Sequence, residues 1–407
     1  MHFLIRMLLR VYWLAMVVTQ YLGRPKKKVE NRGFHILLTG HFFSLNWAQA
    51  HLQPLSLSPQ CGRLRIVTTF PLPRLPKVEV VRPPSILMRI FGATPARLMT
   101  FFAVALVNRP DVVGGFHLLM NGMLASLLAK MIGVRSLYFC VGGPAEILNG
   151  GILSENRLFS RLKRPDPHVE KLLLKVVSTF DVVVVMGSGS ARFFRARGVR
   201  ADFHIVSGGL DLDTFHPRAG EEEFDLIYVG RLVPIKRLHL LLEAIYVAKS
   251  VYPAISACVI GEGPLLQQLN ELSIRLGLQP NVKFLGYQSD VTSWLRRAKI
   301  FMLTSISEGL SLAMMEAMAS GLPAIVPAIG DLEDLVSDNE NGYLISDPQP
   351  ELFARRVLEL LTHPDKLSRF SISARTSAEN YSIAHAVGQW NCILDSQRYA
   401  GCSFASI

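Results

Sequence analysis

The most constraining stretch of this 407-residue chain lies near position 310. Lys299-Ile300-Phe301-Met302-Leu303 is a short apolar run of strand type. The polar turn Ser305 to Gly309 follows, then a helical pattern that Gly321 and Pro323 end, then a second strand from Ala324-Ile325-Val326. Strand, tight turn, helix and strand make one βαβ step of a parallel sheet. Ligands of such sheets bind at the carboxyl ends of the strands, where Ser305 to Gly309 falls. The first backbone N–H groups of the helix favour an anionic group there, such as a phosphate.

Two carboxylates frame the turn, Glu308 within it and Glu316 eight residues on. A fully helical span would separate them by about 12 Å. Paired carboxylates of glycoside hydrolases stand about 5 to 9.5 Å apart, so the spacing suits one extended ligand better than one bond. An ordinary helix with one acid in its first turn and one on its face also has this spacing. The context SEGLSLAMMEAMASGLP, with a glycine at the turn, favours the ligand: a sugar near Glu308, a diphosphate over Gly309-Leu310-Ser311-Leu312, a nucleoside near Glu316. Some seventy residues earlier, Gly230-Arg231-Leu232-Val233-Pro234-Ile235-Lys236 follows another strand. A leaving nucleoside diphosphate gains negative charge, which Arg231 can meet in a bidentate way and Lys236 as a point charge. Two solvated cations after a strand are the plainer explanation for that pair taken alone.

Glu, seven residues, Glu, then Ala-Met-Ala-Ser-Gly-Leu-Pro resembles the signature of retaining glycosyltransferases of the GT-B fold, glycosyltransferase family 4. Ser207 to Pro217 is similar to the family's crossing into its second domain, and Gly230 to Arg237 to its V-G-R-L-x-x-x-K-G turn, with Arg237 in place of the last Gly. Cys258 to Pro264 matches its strand and G-x-G-P turn, and Asn341 to Pro348 its N-G-x-L…D-P turn. The resemblance is specific over 206–385, weaker over 34–205 and absent over 1–30. It implies an α/β protein with two Rossmann-like parallel-sheet domains facing across a cleft. The acceptor-side domain is 34–205, the donor-binding domain 206–385, and a helix in 386–407 returns to the first. It also implies retention at the anomeric carbon, no metal and no cofactor, and the loop holding Tyr287 beside the nucleobase.

The acceptor side departs from the family. Relatives carry a His in a T-x-H-G context, whereas this chain has Phe139-Cys140-Val141-Gly142-Gly143. His117 and His41 are the candidates to approach the sugar, with Gly40, Gly142 and Gly143 on the acceptor side. The glycine pair after the first strand is missing, because His41 follows Gly40. Met186-Gly187-Ser188-Gly189-Ser190-Ala191-Arg192 lacks the third Gly of a dinucleotide fingerprint and is a strand-to-helix turn.

Charge divides the chain. Residues 1–200 hold 27 Lys and Arg against 8 Asp and Glu, net +19, while the remainder carries −8 of the overall +11. A basic half fits nucleic acid or an anionic lipid surface. Five cysteines without a C-x-x-C fit a reducing compartment and neither a disulfide framework nor a zinc site. Residues 1–30 start with an apolar run that Arg6 and Arg10 interrupt and end in a basic stretch with Lys26-Lys27-Lys28. An interfacial helix, a signal-anchor and a helix packed on the protein all fit this segment. Residues 86–107 are expected as one helix carrying Arg89, Arg97, Phe101 and Phe102, either as a second lipid-facing surface or with its apolar stripe in the core.

The expected activity is transfer of a glycosyl group from a nucleoside diphosphate sugar to an acceptor hydroxyl, in cell-surface polysaccharide or glycolipid synthesis. The expected partners are a nucleotide sugar, a lipid-linked or glycan acceptor and an anionic membrane surface, not nucleic acid. The expected location is the cytoplasmic side, peripheral on the inner face of the membrane. A sugar-nucleotide epimerase on the same fold and a non-catalytic sugar-nucleotide-binding module remain as alternatives.

Overall fold

The computed structural model describes residues 1–399, except 26–28, 30–31, 43, 155, 157 and 218–221. The basic run Lys26-Lys27-Lys28 lies outside the described residues. The chain forms two compact units: Met1–Gly209 with the segment from Ile383 on, and Leu210–Ser382. The crossing therefore falls after Gly209 rather than at 206, and the return after Ser382 rather than at 385.

The first unit is built on a seven-stranded parallel sheet. Its strands are β1 (Phe34–Thr39), β2 (Cys61–Val67), β3 (Val78–Val81), β4 (Val112–Phe116), β5 (Arg135–Cys140), β6 (Val182–Val185) and β7 (Asp202–Ile205), in the order β3-β2-β1-β4-β5-β6-β7. β4, β5 and β6 are buried at every residue, as strands covered by helices on both faces must be. The helices are α1 (His2–Leu22), α2 (Leu45–Leu57), α3 (Ser85–Phe91), α4 (Ala93–Asn108), α5 (Met123–Ile132), α6 (Leu148–Gly151), α7 (Pro167–Val177) and α8 (Ser188–Ala196). Ser44 caps α2 by accepting from Trp47 N, and Asp166 caps α7 by accepting from His168 N and Val169 N.

Register shows which helix covers which face. Ile36, Val112, Phe139 and Val184 point one way and pack with Trp390. Leu37 and Val113 point the other way against Phe101 of α4 and Leu128 of α5. Tyr138 and Val183 share that second face and meet Ile5 and Leu9 of α1. α1 is thus part of the first unit and not a separate segment.

The second unit repeats the plan. Its six parallel strands are β8 (Phe224–Val229), β9 (Ala257–Ile260), β10 (Val282–Gly286), β11 (Ala298–Met302), β12 (Ala324–Pro327) and β13 (Gly342–Ile345), in the order β10-β9-β8-β11-β12-β13. Between and after them run α9 (Leu238–Lys249), α10 (Leu266–Arg275), α11 (Val291–Leu295), α12 (Leu312–Ala319), α13 (Pro350–Leu361) and α14 (Pro364–Ala378). The last helix, α15 (Ile383–Tyr399), belongs to the first unit, where it packs on α2 and where Ser58 Oγ donates to Asn391 Oδ1 at 2.6 Å.

Several local expectations are corrected. Residues 86–107 form two helices, because Gly92 sits at φ +82 between α3 and α4. Arg97 and Phe101 are buried and do not face lipid. α5 starts at Met123, after an irregular turn with Met120 at φ +69. β3 and β7 were not foreseen; both are four-residue strands at the sheet edges, too short to show an alternation.

Candidate functional site

In each sheet the chain reverses its direction of winding between two central strands, and a crevice forms outside their carboxyl ends. In the second unit those strands are β8 and β11. The turn after β8 carries Arg231 and Lys236, and the turn after β11 carries Glu308. They meet: Lys236 Nζ donates to Glu308 Oε1 at 2.6 Å, and Ser305 Oγ donates to the same oxygen at 2.6 Å. Thr304 Oγ1 bonds the carbonyls of Lys236 and Arg237 at 3.0 and 3.1 Å, and Ile306 N bonds Ile235 O at 2.8 Å. The two turns are therefore one bonded structure, with the Lys236–Glu308 pair mostly shielded from water.

Glycines let neighbouring backbones close on this structure. A Cβ at Gly261 (φ +134) would collide with Gly230 O, and one at Gly330 (φ +60) with Glu308 O. Arg237, which stands in place of the last Gly of the resembled turn, adopts the left-handed φ +48, ψ 42, the conformation for which glycine is suited. Beneath the pair, the buried Tyr228 donates its hydroxyl to Arg231 O at 3.1 Å. Burial, and then the Glu308 carboxylate, push that phenol well above its ordinary range. Arg231 itself is half-buried on the turn.

The acidic pair differs from the sequence expectation. α12 begins only at Leu312, with Ser311 Oγ capping it by accepting from Met314 N at 3.4 Å. Gly309 and Leu310 are turn residues, so the 12 Å figure, which required a continuous helix, does not apply. Glu316 lies on α12, 5% exposed, and its carboxyl makes no hydrogen bond or ion pair among the described residues. Burial pushes its pKa up to about 8. Tyr287 is not brought to the pair: it is 61% exposed after the edge strand β10, with β9 between that strand and β8.

In the first unit the corresponding reversal lies between β1 and β4. Gly40 follows β1 where a Cβ would stand 2.7 Å from Phe116 Cβ, so the end of β4 closes on it. His117 follows β4 at φ +66, a strained conformation for a non-glycine residue. Its Nδ1 is 2.7 Å from Glu146 Oε1, and Leu118 N donates to Glu146 Oε2 at 2.5 Å. Glu146 stands in the turn that Gly142 and Gly143 open after β5. Gly143 has φ +64, whereas Gly142 has an ordinary φ of −89. His41 is exposed beside Gly40.

Glu146 was missed, because a single acid in an irregular loop has no spacing to mark it. Of the two readings of residues 86–107, the core one holds for Arg97: its guanidinium bonds Thr39 Oγ1 at 2.7 Å and Asn121 Oδ1 at 2.9 Å, tying the end of β1 to the turn after β4. Its only sequence signal was an arginine within an apolar helix.

Two reversed-winding parallel sheets, each with its polar groups at the strand ends, define a GT-B-type α/β protein. The model of the family described as glycosyl transferases group 1 matches residues 212–377. A D-inositol 3-phosphate glycosyltransferase of Frankia alni is 31% identical over 284 residues, covering 63% of this chain and 67% of that protein. The chain belongs to this glycosyltransferase family. A poly(ribitol-phosphate) alpha-N-acetylglucosaminyltransferase of Staphylococcus aureus is 29% identical over 44% of this chain and 37% of its own. The chain spans about half the length of several curated relatives it matches, 44 to 45% in three of them. Among solved structures, the sucrose-phosphate synthase of Thermosynechococcus elongatus shares the fold with TM-score 0.73 and 16% identity, over 90% of this chain and all of that one. Anabaena HepE, crystallised with UDP and glucose, does so with TM-score 0.69 and 16% identity, over 89% of this chain and all of that one.

Proposed function

We propose that the protein is a retaining, metal-independent glycosyltransferase that moves a sugar from a nucleoside diphosphate sugar to an acceptor hydroxyl. The observation that carries this reading is the Lys236–Glu308 pair at the strand reversal of the second unit. The bond from the anomeric carbon to the diphosphate oxygen breaks, one to the acceptor oxygen forms and the acceptor's hydroxyl proton passes to the leaving diphosphate, on which negative charge collects as its bond breaks. Arg231, Lys236 and the free amides at the start of α12 offset it, the task a metal ion has elsewhere. Lys236 pairs with Glu308; on donor binding it turns to the phosphates and leaves Glu308 to the sugar. Glu316, buried and unpaired, takes the ribose hydroxyls, and Tyr287 lies nearer the base than the phosphates. On the acceptor side, in the first unit, His117 held by Glu146 is the residue we assign to the acceptor.

Named relatives support this reading by analogy: one acts on D-inositol 3-phosphate, another on poly(ribitol-phosphate), and HepE was crystallised with UDP-glucose. The acceptor is a lipid-linked or membrane-proximal glycan, met at the cytoplasmic face of the membrane during surface polysaccharide or glycolipid synthesis. The test begins with a thermal-shift screen of nucleoside diphosphate sugars, followed by turnover with and without glycan acceptors. Consumption should depend on acceptor, and Lys236→Ala should weaken donor binding at least about tenfold, as loss of a charge-assisted contact implies. Acceptor-independent interconversion of donors would favour an epimerase. Binding without any turnover would favour the non-catalytic module. Unchanged affinity in the variant would remove Lys236 from the site.

A further inference from the structure

α1 has two apolar faces. On one, Ile5 and Leu9 are buried against Tyr138 and Leu173 in the first unit. Arg6 bonds Asp166, the cap of α7, through two nitrogens at 2.9 and 3.0 Å, and Tyr12 Oη donates to Met123 O at the start of α5 at 3.0 Å. A Cβ at Gly23 would strike Lys130 O, so the far end of α1 rests on the far end of α5. The helix is therefore held along its length between α5 and α7. Its other face is open. Phe3, Met7, Val11, Leu14, Val18 and Tyr21 recur every three or four residues and are exposed, up to 83% for Tyr21.

A second open surface stands on α3 and α4. α3 has no buried residue, and on α4 the side opposite Phe101 presents Phe102 and Val107, the latter 80% exposed. Strand register places α4 and α1 on the same side of the seven-stranded sheet, and α5 touches both. Exposed apolar side chains on this scale, gathered on one side of a domain, mark an interaction surface.

Charge identifies the partner. α1, α3, α4 and α5 contain no Asp or Glu, and Arg10, Arg24, Arg89 and Arg109 are exposed in them or at their ends. Apolar faces on helices that carry cations and no acid complement an anionic lipid bilayer, where the apolar chains enter the acyl boundary and the cations meet headgroups. The stretch His2–Thr19 is long and apolar enough to cross a membrane. A helix bonded along one face to its own domain cannot do so without leaving it.

We infer that the open faces of α1 and of the α3–α4 pair form one membrane-docking surface, on which the protein lies against an anionic bilayer with α1 in the interface plane. The inference rests on the membrane-proximal acceptor proposed above and adds the surface that meets the membrane. Three full-length proteins test it: the wild type, Leu14→Gln/Val18→Gln on α1, and Phe102→Gln/Val107→Gln on α4. All four positions are exposed, so circular dichroism and nucleotide-sugar binding should match the wild type. Each is sedimented with phosphatidylcholine vesicles with and without phosphatidylglycerol. The wild type should bind the anionic vesicles, release in part at high salt and wholly in alkaline carbonate, and each double variant should lower partitioning at least about tenfold. A loss confined to the α1 variant would overturn the shared surface and leave the membrane reading standing. Carbonate-resistant binding would overturn the in-plane placement. A wild type that ignores anionic vesicles would overturn both the surface and the membrane-proximal acceptor. So would dimerisation of the wild type, abolished by both variants, in the absence of vesicle binding.

Discussion

Replacing Glu316 by Gln tests the burial argument directly. The carboxyl is 5% exposed, lacks a partner among the described residues, and has a pKa moved from 4.5 to about 8 by burial alone. Near neutral pH the folded chain thus holds a proton that the unfolded chain has released. Folding binds protons throughout that window, so the contribution of Glu316 to stability is greatest below about pH 4.5 and is lost as pH rises to about 8. Each pH unit within the window contributes about 1.4 kcal/mol, and the whole displacement sets a ceiling of about 5 kcal/mol. Local relaxation and water entry will lower the observed figure. Glutamine has nearly the same shape and does not titrate. The stability difference between wild type and Glu316→Gln should therefore change by several kcal/mol between about pH 5 and pH 8.5, the wild type losing ground as pH rises. Urea unfolding of both proteins across that range, followed by circular dichroism, measures it. Parallel curves would mean that Glu316 is already ionised in the folded chain, and the burial argument would fail. The same variant should weaken donor binding more than turnover, since the proposed contact is to the ribose.

Two further substitutions probe backbone and positioning. Arg237→Gly relieves a left-handed residue whose side chain makes no hydrogen bond among the described residues, and should raise stability by about 0.5 to 1 kcal/mol in a thermal melt; a loss would show that packing of the arginine outweighs its backbone cost. Glu146→Gln weakens the hold on His117 Nδ1 and Leu118 N, on the order of 1 to 3 kcal/mol. It should lower kcat about tenfold or more and leave donor affinity unchanged, whereas a parallel loss of both would point to general disruption of the domain.

Much of this architecture is written locally. Short apolar runs alternating with helical spacing announce parallel βαβ units, because hydrophobic period and turn residues are properties of neighbours in the chain. Glu308, Arg231 and Lys236 stand out for the same reason, as each sits at a strand-to-helix turn, and Glu316 follows on the helix. Even the oddity at Arg237 was visible as a missing glycine, although its cause, a left-handed backbone, was not.

What the sequence could not determine depends on which distant segments become neighbours. Lys236 and Glu308 are 72 positions apart and bond only because β8 lies beside β11. Glu146 reaches His117 because β4 pairs with β5. Arg97, on a stretch that fitted either a lipid-facing or a core-packed helix, is buried between Thr39 and Asn121 once α4 packs on the sheet. The first helix was equally ambiguous, since an apolar run with two arginines suits a membrane, an interface or a core. Packing on α5 and α7 buried one face and left the other open. Hydrophobic periodicity states that a face seeks burial, and strand order and packing decide what lies opposite it.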